Sequence, residues 1–165
     1  MFNRIWYKGP FNQEGDRVGA TIDLILVPVD FEEPSQKALE VAKRLAAGLG
    51  AEVLALHVYT LPRFSYPGFS PLIPPVLNEE IAAASRRALE SVGAAENVRV
   101  LLREGDATTE ILAVIEELKP SFVVMGTHGR RGLPRLVLGS VAEKLIRQST
   151  VPVMTIRTPE TKSGA

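Results

Sequence analysis

The 165-residue chain contains no cysteine, which excludes disulfide bonds and thiolate metal sites. It also has no excess of charge, because 19 lysines and arginines match 19 aspartates and glutamates. This balance gives no indication of a nucleic acid or an anionic membrane as a partner. No apolar run is long enough to cross a bilayer, and the N-terminus lacks the apolar core of a signal peptide. We therefore expect a cytoplasmic protein.

Length and composition predict one domain, since 45% of the residues are hydrophobic. Residues 1–20 mix aromatic residues with glycines and show no regular period. They predict an irregular arm that folds back on the domain or on a partner chain. The alternative is a disordered tail. The domain itself should span residues 21–158, interrupted by a proline-rich mobile loop at 60–75 that could act as a lid. Residues 159–165 predict a loose tail.

Apolar runs alternate with amphipathic stretches of helical spacing through this domain. Strands are predicted at residues 22–29, 53–59, 98–103, 122–125 and 153–157. Pro34 suits the first turn of a helix, Asp106 suits a helix cap, and Gly50 suits a helix end. Such alternation indicates an α/β fold with a parallel sheet and right-handed crossovers. The charged residues Arg99 and Arg103 favour an edge position for the third predicted strand.

The most informative stretch is residues 123–143, where an apolar run breaks at Gly126 and Gly129 and a helix follows. Ser140, with Glu143 three residues later, has the pattern of a capping box. Glycines let the backbone approach a ligand, and the first amides of a helix favour an anion. The stretch therefore predicts a phosphate-binding loop, although it has neither the Walker spacing nor Gly-x-Gly-x-x-Gly.

The spacing Gly126-x2-Gly129-x9-Gly139-Ser140 resembles the nucleotide-binding signature of the universal stress protein family. The resemblance covers roughly residues 20–158. It extends to Val27–Asp30, Leu56–Val58 and Val151–Val153.

The resemblance implies a single-domain, five-stranded parallel sheet of order 3-2-1-4-5 with helices on both faces. This is the Rossmann-like fold of the adenine nucleotide alpha hydrolase type. In that order the first and fourth strands are neighbours, and a crevice opens at their carboxyl ends. Asp30 and Gly126 would then reach the same crevice.

We expect this crevice to bind ATP or a related adenine nucleotide, with magnesium held mainly through the phosphates. The resemblance implies adenine contacts with the backbone of Val29 and Val58 and a place for Met125 in the pocket. The expected nucleotide-binding residues are Pro28, Val29, Asp30, Val58, Met125, Gly126, Thr127, His128, Gly129, Arg130, Gly139, Ser140 and Val141.

Several of these residues have an alternative role. Gly126 could let the backbone pass close to ribose and phosphates, or it could only form a tight turn. Asp30 could accept hydrogen bonds from ribose hydroxyls or lie near the base, or it could cap the following turn. The Ser140 hydroxyl could bind a phosphate oxygen or only cap its helix. Arg130 could screen phosphates or be solvated, and His57 is expected to be a satisfied core histidine.

Two classes of function fit these features. The first is a nucleotide-binding regulatory protein of the universal stress response type, with at most slow hydrolysis and no catalytic residue. The alternative is a magnesium-dependent enzyme that hydrolyses ATP or transfers a phosphoryl group, which needs a metal-organising acid, a positioned nucleophile and fixed cations. Only Asp30 and the loop arginines are candidates for these roles, which favours binding.

The last predicted strand bears on assembly. Pro152 lies at its start, where an edge strand can spare a ladder donor. Family members commonly dimerise through this strand, so we expect a homodimer formed through residues 151–157.

Overall fold

The computed structural model describes residues 6–8, 22–61, 75–96, 98–127 and 139–157. Most of the predicted 60–75 loop and the whole 159–165 tail lie outside these described residues. In chain order the strands and helices are β1 (Trp6–Lys8), β2 (Leu24–Pro28), α1 (Glu33–Leu49), β3 (Glu52–Tyr59), α2 (Pro75–Glu96), β4 (Arg99–Glu104), α3 (Ala107–Leu118), β5 (Phe122–Gly126), α4 (Ser140–Gln148) and β6 (Val153–Ile156).

The described strands form one sheet of order β1-β4-β3-β2-β5-β6. Strands β2 to β6 are parallel, and they correspond to the five strands predicted from the sequence. Their order confirms the predicted arrangement 3-2-1-4-5. Strands β2 and β5 are therefore neighbours at the centre of the sheet, which brings their carboxyl ends together.

Strand β1 differs from the prediction. Residues 6–8 lie in the segment expected to be an irregular arm, but they form a strand antiparallel to β4, with Trp6 opposite Leu102. Three residues are too short to show a period, so hydrophobic patterning could not reveal this strand. Strand β4 is consequently second from the edge of the described sheet, and the expected edge position is wrong. Its charges are paired instead, Arg99 with Glu52 and Arg103 with Glu117.

Two apolar layers cover the sheet. On one face Ile25, Val27 and Val124 pack with residues of α1 and α2, and on the other Leu26 and Val123 pack with α3 and α4. All five side chains are fully buried. Each such burial contributes about 1.5–3 kcal/mol, so both faces are firmly held. Among the described residues, no helix has the length and apolar character needed to span a membrane.

The helix ends follow the signals in the sequence. Pro34 lies in the first turn of α1, and Gly50 ends this helix in the left-handed conformation, with φ 70°. Asp106 caps α3 by accepting a hydrogen bond from the amide of Thr109 at 3.0 Å. These three predictions are confirmed. Pro34 and Asp106 mark where α1 and α3 begin at the carboxyl edge of the sheet, and Gly50 ends α1 at the opposite edge, just before β3.

Candidate functional site

A cavity of about 760 Å³ opens at the carboxyl ends of β2, β3 and β5. Strand β2 continues into α1 on one face of the sheet, whereas β5 continues towards α4 on the other. The cavity therefore lies where the chain connections diverge, which is the usual ligand position in open α/β sheets. It is lined by Pro28, Val29, Asp30, Glu32, Ser35, Leu56, Val58, Ala107, Ile111, Met125, Gly126, Thr127, Gly139, Ser140, Val141 and Ala142.

Most of the residues expected to bind nucleotide lie around this one cavity. They come from three segments that are distant in the sequence: the end of β2, the end of β3, and the segment that joins β5 to α4. The expected residues that line it are Pro28, Val29, Asp30, Val58, Met125, Gly126, Thr127, Gly139, Ser140 and Val141. His128, Gly129 and Arg130 lie outside the described residues.

The inner wall of the cavity is apolar. Leu56, Ile111 and Met125 line it and are almost completely buried, and Ala142 closes it from the side of α4. Polar groups lie at the two rims, from the turn after β2 and from the N-terminus of α4. An apolar wall with a few placed polar groups is the usual composition of a small-molecule site.

Both ends of the glycine loop are fixed beside β5. The amide of Gly139 donates to the carbonyl of Thr127 at 2.8 Å, and the amide of Thr127 donates to the carbonyl of Ile156 at 3.2 Å. Thr127 is buried, with 4% of its surface exposed. Helix α4 therefore begins at a defined position next to the end of β5.

The predicted capping box at Ser140 is wrong. The N-cap residue of α4 is Gly139, because the first helical hydrogen bond runs from the Glu143 amide to the Gly139 carbonyl at 2.9 Å. The side chain of Glu143 instead pairs with Arg147 at 3.1 Å, one turn further along the helix. Gly139 has no side chain that could cap this helix, and the first helical residues, Ser140 and Val141, line the cavity. The helix thus presents its partial positive end to the cavity without a competing acceptor from its own N-cap side chain.

A second helix N-terminus meets the cavity at Ala107, the first residue of α3. This end of the helix carries the carboxylate of its N-cap residue, Asp106. That carboxylate accepts hydrogen bonds from both the amide and the hydroxyl of Thr109 at 3.0 Å. The hydrogen bond from the Thr109 amide is the main reason why the pKa of Asp106 is lowered. The negative charge of Asp106 makes this end less favourable for an anion than the N-terminus of α4.

Gly126 is required by packing. A Cβ atom at this position would lie 2.8 Å from both the carbonyl carbon and the Cβ of Pro34. These distances are shorter than real Cβ contacts, so a side chain would push α1 away from β5. The backbone of Gly126 also lines the cavity, so close helix packing and ligand approach are compatible roles for the same glycine.

Asp30 lies in a tight turn between β2 and α1. Its Oδ1 accepts a hydrogen bond from the amide of Glu32 at 3.1 Å, which is the expected alternative role of capping the turn. The residue between them, Phe31, has φ 67°, a left-handed conformation that is costly for a bulky side chain. Asp30 also lines the cavity, and its contact with a ribose remains a prediction.

Glu32 and Ser35 are polar lining residues that the sequence reasoning missed. Glu32 is the N-cap residue of α1 and Ser35 lies in its first turn, and a short turn that contains Asp30 joins this helix to β2. The start of α1 is therefore at the same rim as Asp30. The position of Pro34 was a usable signal, since it placed the helix start within a few residues of the strand end.

His57 is the satisfied histidine that was expected. Its Nδ1 is 2.8 Å from the carbonyl oxygen of Val29, and its ring centroid is 4.4 Å from that of Phe31. Burial lowers the pKa of His57, and this effect is partly offset by the hydrogen bond to Val29 and the nearby charge of Asp30. Among the described residues, no three potential side-chain ligands are placed to hold a metal ion.

These observations define a Rossmann-like α/β protein with a cavity at the carboxyl edge of its sheet. The model of the universal stress protein family matches residues 21–157. The chain belongs to this family.

Relatives of known sequence and structure agree with this assignment. Universal stress protein MJ0531 of Methanocaldococcus jannaschii is 33% identical over 142 residues, which cover 82% of each chain. Universal stress protein YxiE of Bacillus subtilis is 31% identical over 144 residues, covering 81% of this chain and 97% of that one. The structure of UspA from Lactobacillus plantarum is 25% identical, with a TM-score of 0.68, and covers 84% of this chain and 100% of that chain.

A further structure is described as a universal stress protein in complex with cAMP. It is 20% identical to this chain, with a TM-score of 0.56, and the match covers 83% of this chain and 98% of that one. At this identity the similarity shows a shared fold.

The packing role of Gly126 predicts the effect of two alanine substitutions. Gly126→Ala should lower the free energy of unfolding by about 1–3 kcal/mol, because the new methyl group overlaps Pro34. Gly48→Ala on α1 is the matched control, since nothing lies within 4 Å of the place that its new methyl group would take. It should raise the free energy of unfolding by about 0.5–1 kcal/mol through helix propensity. Urea unfolding measures both; a Gly126→Ala protein as stable as the parent would contradict the packing argument.

The lowered pKa of His57 predicts how stability depends on pH. Below the ordinary value of 6.5 the unfolded chain takes up a proton at His57 more readily than the folded protein does. The free energy of unfolding should therefore fall as the pH decreases from 6.5 towards the lower pKa of the folded state. His57→Asn keeps a side-chain N–H donor and should reduce this slope. Urea unfolding measures the free energy of unfolding of both proteins over this pH range. If that free energy depends on pH equally in the two proteins, His57 is not the cause of the pH dependence.

Proposed function

We propose that this universal stress protein binds an adenine nucleotide, ATP or a close relative, in the cavity and acts as a regulatory protein through its occupancy. The observation that carries this proposal is the convergence of an apolar wall, the Asp30 turn and the N-terminus of α4 on one cavity. The family member described as a cAMP complex supports an adenine nucleotide as the ligand class.

The charges around the cavity suggest one orientation for the ligand. The adenine would lie against the apolar wall, close to the backbone of Val29 and Val58. The ribose would face Asp30, whose carboxylate can accept from hydroxyl groups. The phosphates would then lie at the amides of Ser140 and Val141, where the helix dipole favours negative charge. The opposite orientation would place phosphate next to carboxylates and is disfavoured by charge repulsion.

We propose binding with at most slow hydrolysis. Magnesium would enter with the nucleotide and be held mainly by phosphate oxygens. Rapid phosphoryl transfer needs a carboxylate free to organise the metal or the attacking water. One carboxylate oxygen of Asp30 already accepts from the Glu32 amide, which favours a role in shaping the turn and contacting the ribose. Fast ATP turnover that disappears in Asp30→Ala would instead support the enzyme alternative.

The role of the α4 amides predicts a contrast between two substitutions at Ser140. Proline is tolerated in the first turn of a helix, and Gly139, with φ −57° and ψ 144°, already has the conformation required before proline. Ser140→Pro should thus retain the fold while removing one amide donor. Its affinity for ATP, measured by calorimetry, should fall by about tenfold or more, as for loss of a hydrogen bond to a charged group.

Ser140→Ala is the matched control, because it removes the hydroxyl and keeps the amide. We expect a smaller loss of affinity for Ser140→Ala than for Ser140→Pro, with similar thermal unfolding of the two proteins. Equal ATP affinity in the proline variant and the parent would contradict phosphate binding at this helix.

We also propose a homodimer through residues 151–157. Strand β6 is an edge of the described sheet and pairs with β5 on its inner side. Met154 on this strand is 41% exposed. An exposed strand edge with apolar residues favours pairing with a second copy of itself.

The hydrogen bonds of β6 indicate how to test the dimer. The carbonyls of Pro152 and Ile156 accept from the amides of Val123 and Thr127. The backbone polar groups of every second residue, counted from Pro152, therefore face β5. The amide of Thr155 therefore points to the outer edge. Thr155→Pro should remove a bond between protomers without removing one within the chain.

Light scattering should give a dimer mass for the parent and for the control Thr155→Ala, which keeps the amide, and a monomer mass for Thr155→Pro. A monomer mass for the parent at micromolar concentration would count against the proposed interface.

A further inference from the structure

Ser35 has an unusual position for a helix serine. It lies in the first turn of α1, only 5% of its surface is exposed, and it lines the cavity. Its hydroxyl accepts a hydrogen bond from the amide of Asp30 at 3.3 Å and donates one to the carbonyl of Glu32 at 2.9 Å. One buried hydroxyl group therefore connects the two residues on either side of Phe31.

The turn that Ser35 connects needs such support. Phe31 has φ 67°, and a bulky residue in this region costs on the order of 1–3 kcal/mol, so it persists only where the surroundings hold it. The start of the turn is held at Val29, whose amide donates to the carbonyl of Leu56 at 2.8 Å. The peptide group between Val29 and Asp30 is then held from both sides, because its carbonyl lies 2.8 Å from His57 Nδ1 and its amide donates to Ser35.

We infer that Ser35 is a positioning residue that directs the carboxylate of Asp30 towards the hydroxyl groups of a bound nucleotide. This inference rests on the proposed function, and it deepens it by naming a group that sets selectivity for the ribose. Ser35 acts through the backbone of Asp30, while the Asp30 Oδ1 bond to the Glu32 amide fixes the side chain. The second carboxylate oxygen is then oriented by the turn that Ser35 holds.

The test compares the affinities for ATP and 2′,3′-dideoxy-ATP, which lacks both ribose hydroxyls. The parent protein should bind ATP about tenfold more tightly than the dideoxy compound, as for hydrogen bonds to a carboxylate. Asp30→Asn keeps an acceptor for the Glu32 amide and should reduce this ratio. Ser35→Ala should reduce the ratio by about fivefold, mainly by lowering the affinity for ATP, because loss of the Ser35 hydroxyl releases the turn. In Asp30→Asn, adding Ser35→Ala should not reduce the ratio further, since both act through one carboxylate.

Ser149 provides a matched control. Its hydroxyl donates to the carbonyl of Val151 at 2.7 Å and accepts from the Val151 amide at 3.2 Å, so it also holds a turn, but it does not line the cavity. Ser149→Ala should leave the ratio of the two affinities unchanged, whatever it does to stability. If Ser35→Ala does not fold, Ser35→Cys, which keeps the size and weakens the hydrogen bonds, is measured with the same expectation.

The outcomes separate the two levels of the proposal. A Ser35 variant with equally lowered affinities for ATP and the dideoxy compound would overturn the positioning role but not the proposal of nucleotide binding. Equal affinities of the parent protein for both compounds would likewise overturn the positioning role alone. A parent protein that binds neither would overturn the proposed function itself, and this inference with it.

Discussion

The contact between Pro34 and Gly126 is the constraint on which the rest of the site depends. A Cβ at residue 126 would lie 2.8 Å from Pro34, so α1 can start where it does only because β5 ends in glycine. The turn that carries Asp30 leads into α1, and the loop to α4 follows β5. This contact therefore brings the Asp30 turn and the N-terminus of α4 to the same cavity.

Polar groups of opposite charge lie at the two rims of the cavity. Asp30 and Glu32 bring carboxylates to one rim, while Ser140 and Val141 bring the positive end of a helix dipole to the other. A ligand with hydroxyl groups at one end and phosphates at the other matches this arrangement, and an apolar wall between them suits a flat base. Family membership establishes the fold and the protein family. The polar groups at the two rims support the more specific proposal that the ligand is an adenine nucleotide.

The five parallel strands were predictable because they are mainly apolar, and the helix ends carry clear signals such as Pro34 and Asp106. The order of the strands was expected from the family resemblance. The meeting of Asp30 and Gly126 at one cavity was predictable because parallel strands bring their carboxyl ends to one edge, whereas Val29, Val58 and Met125 were expected from the family resemblance. Three features were not predictable. Strand β1 is too short to show a period. The capping box failed because Gly139 takes the N-cap position and Ser140 is already helical. Ser35 was missed because its hydroxyl bonds to a turn, and no spacing rule reports that contact.

The central claim is that the first amides of α4 bind the phosphates of an adenine nucleotide. The most direct measurement is an NMR titration of the isotope-labelled protein with magnesium ATP, following backbone amide resonances. We expect saturable shifts for Gly139, Ser140 and Val141, together with Met125 beside the base. Absence of any shift at these amides at millimolar ATP, or saturable shifts confined to another surface, would contradict it.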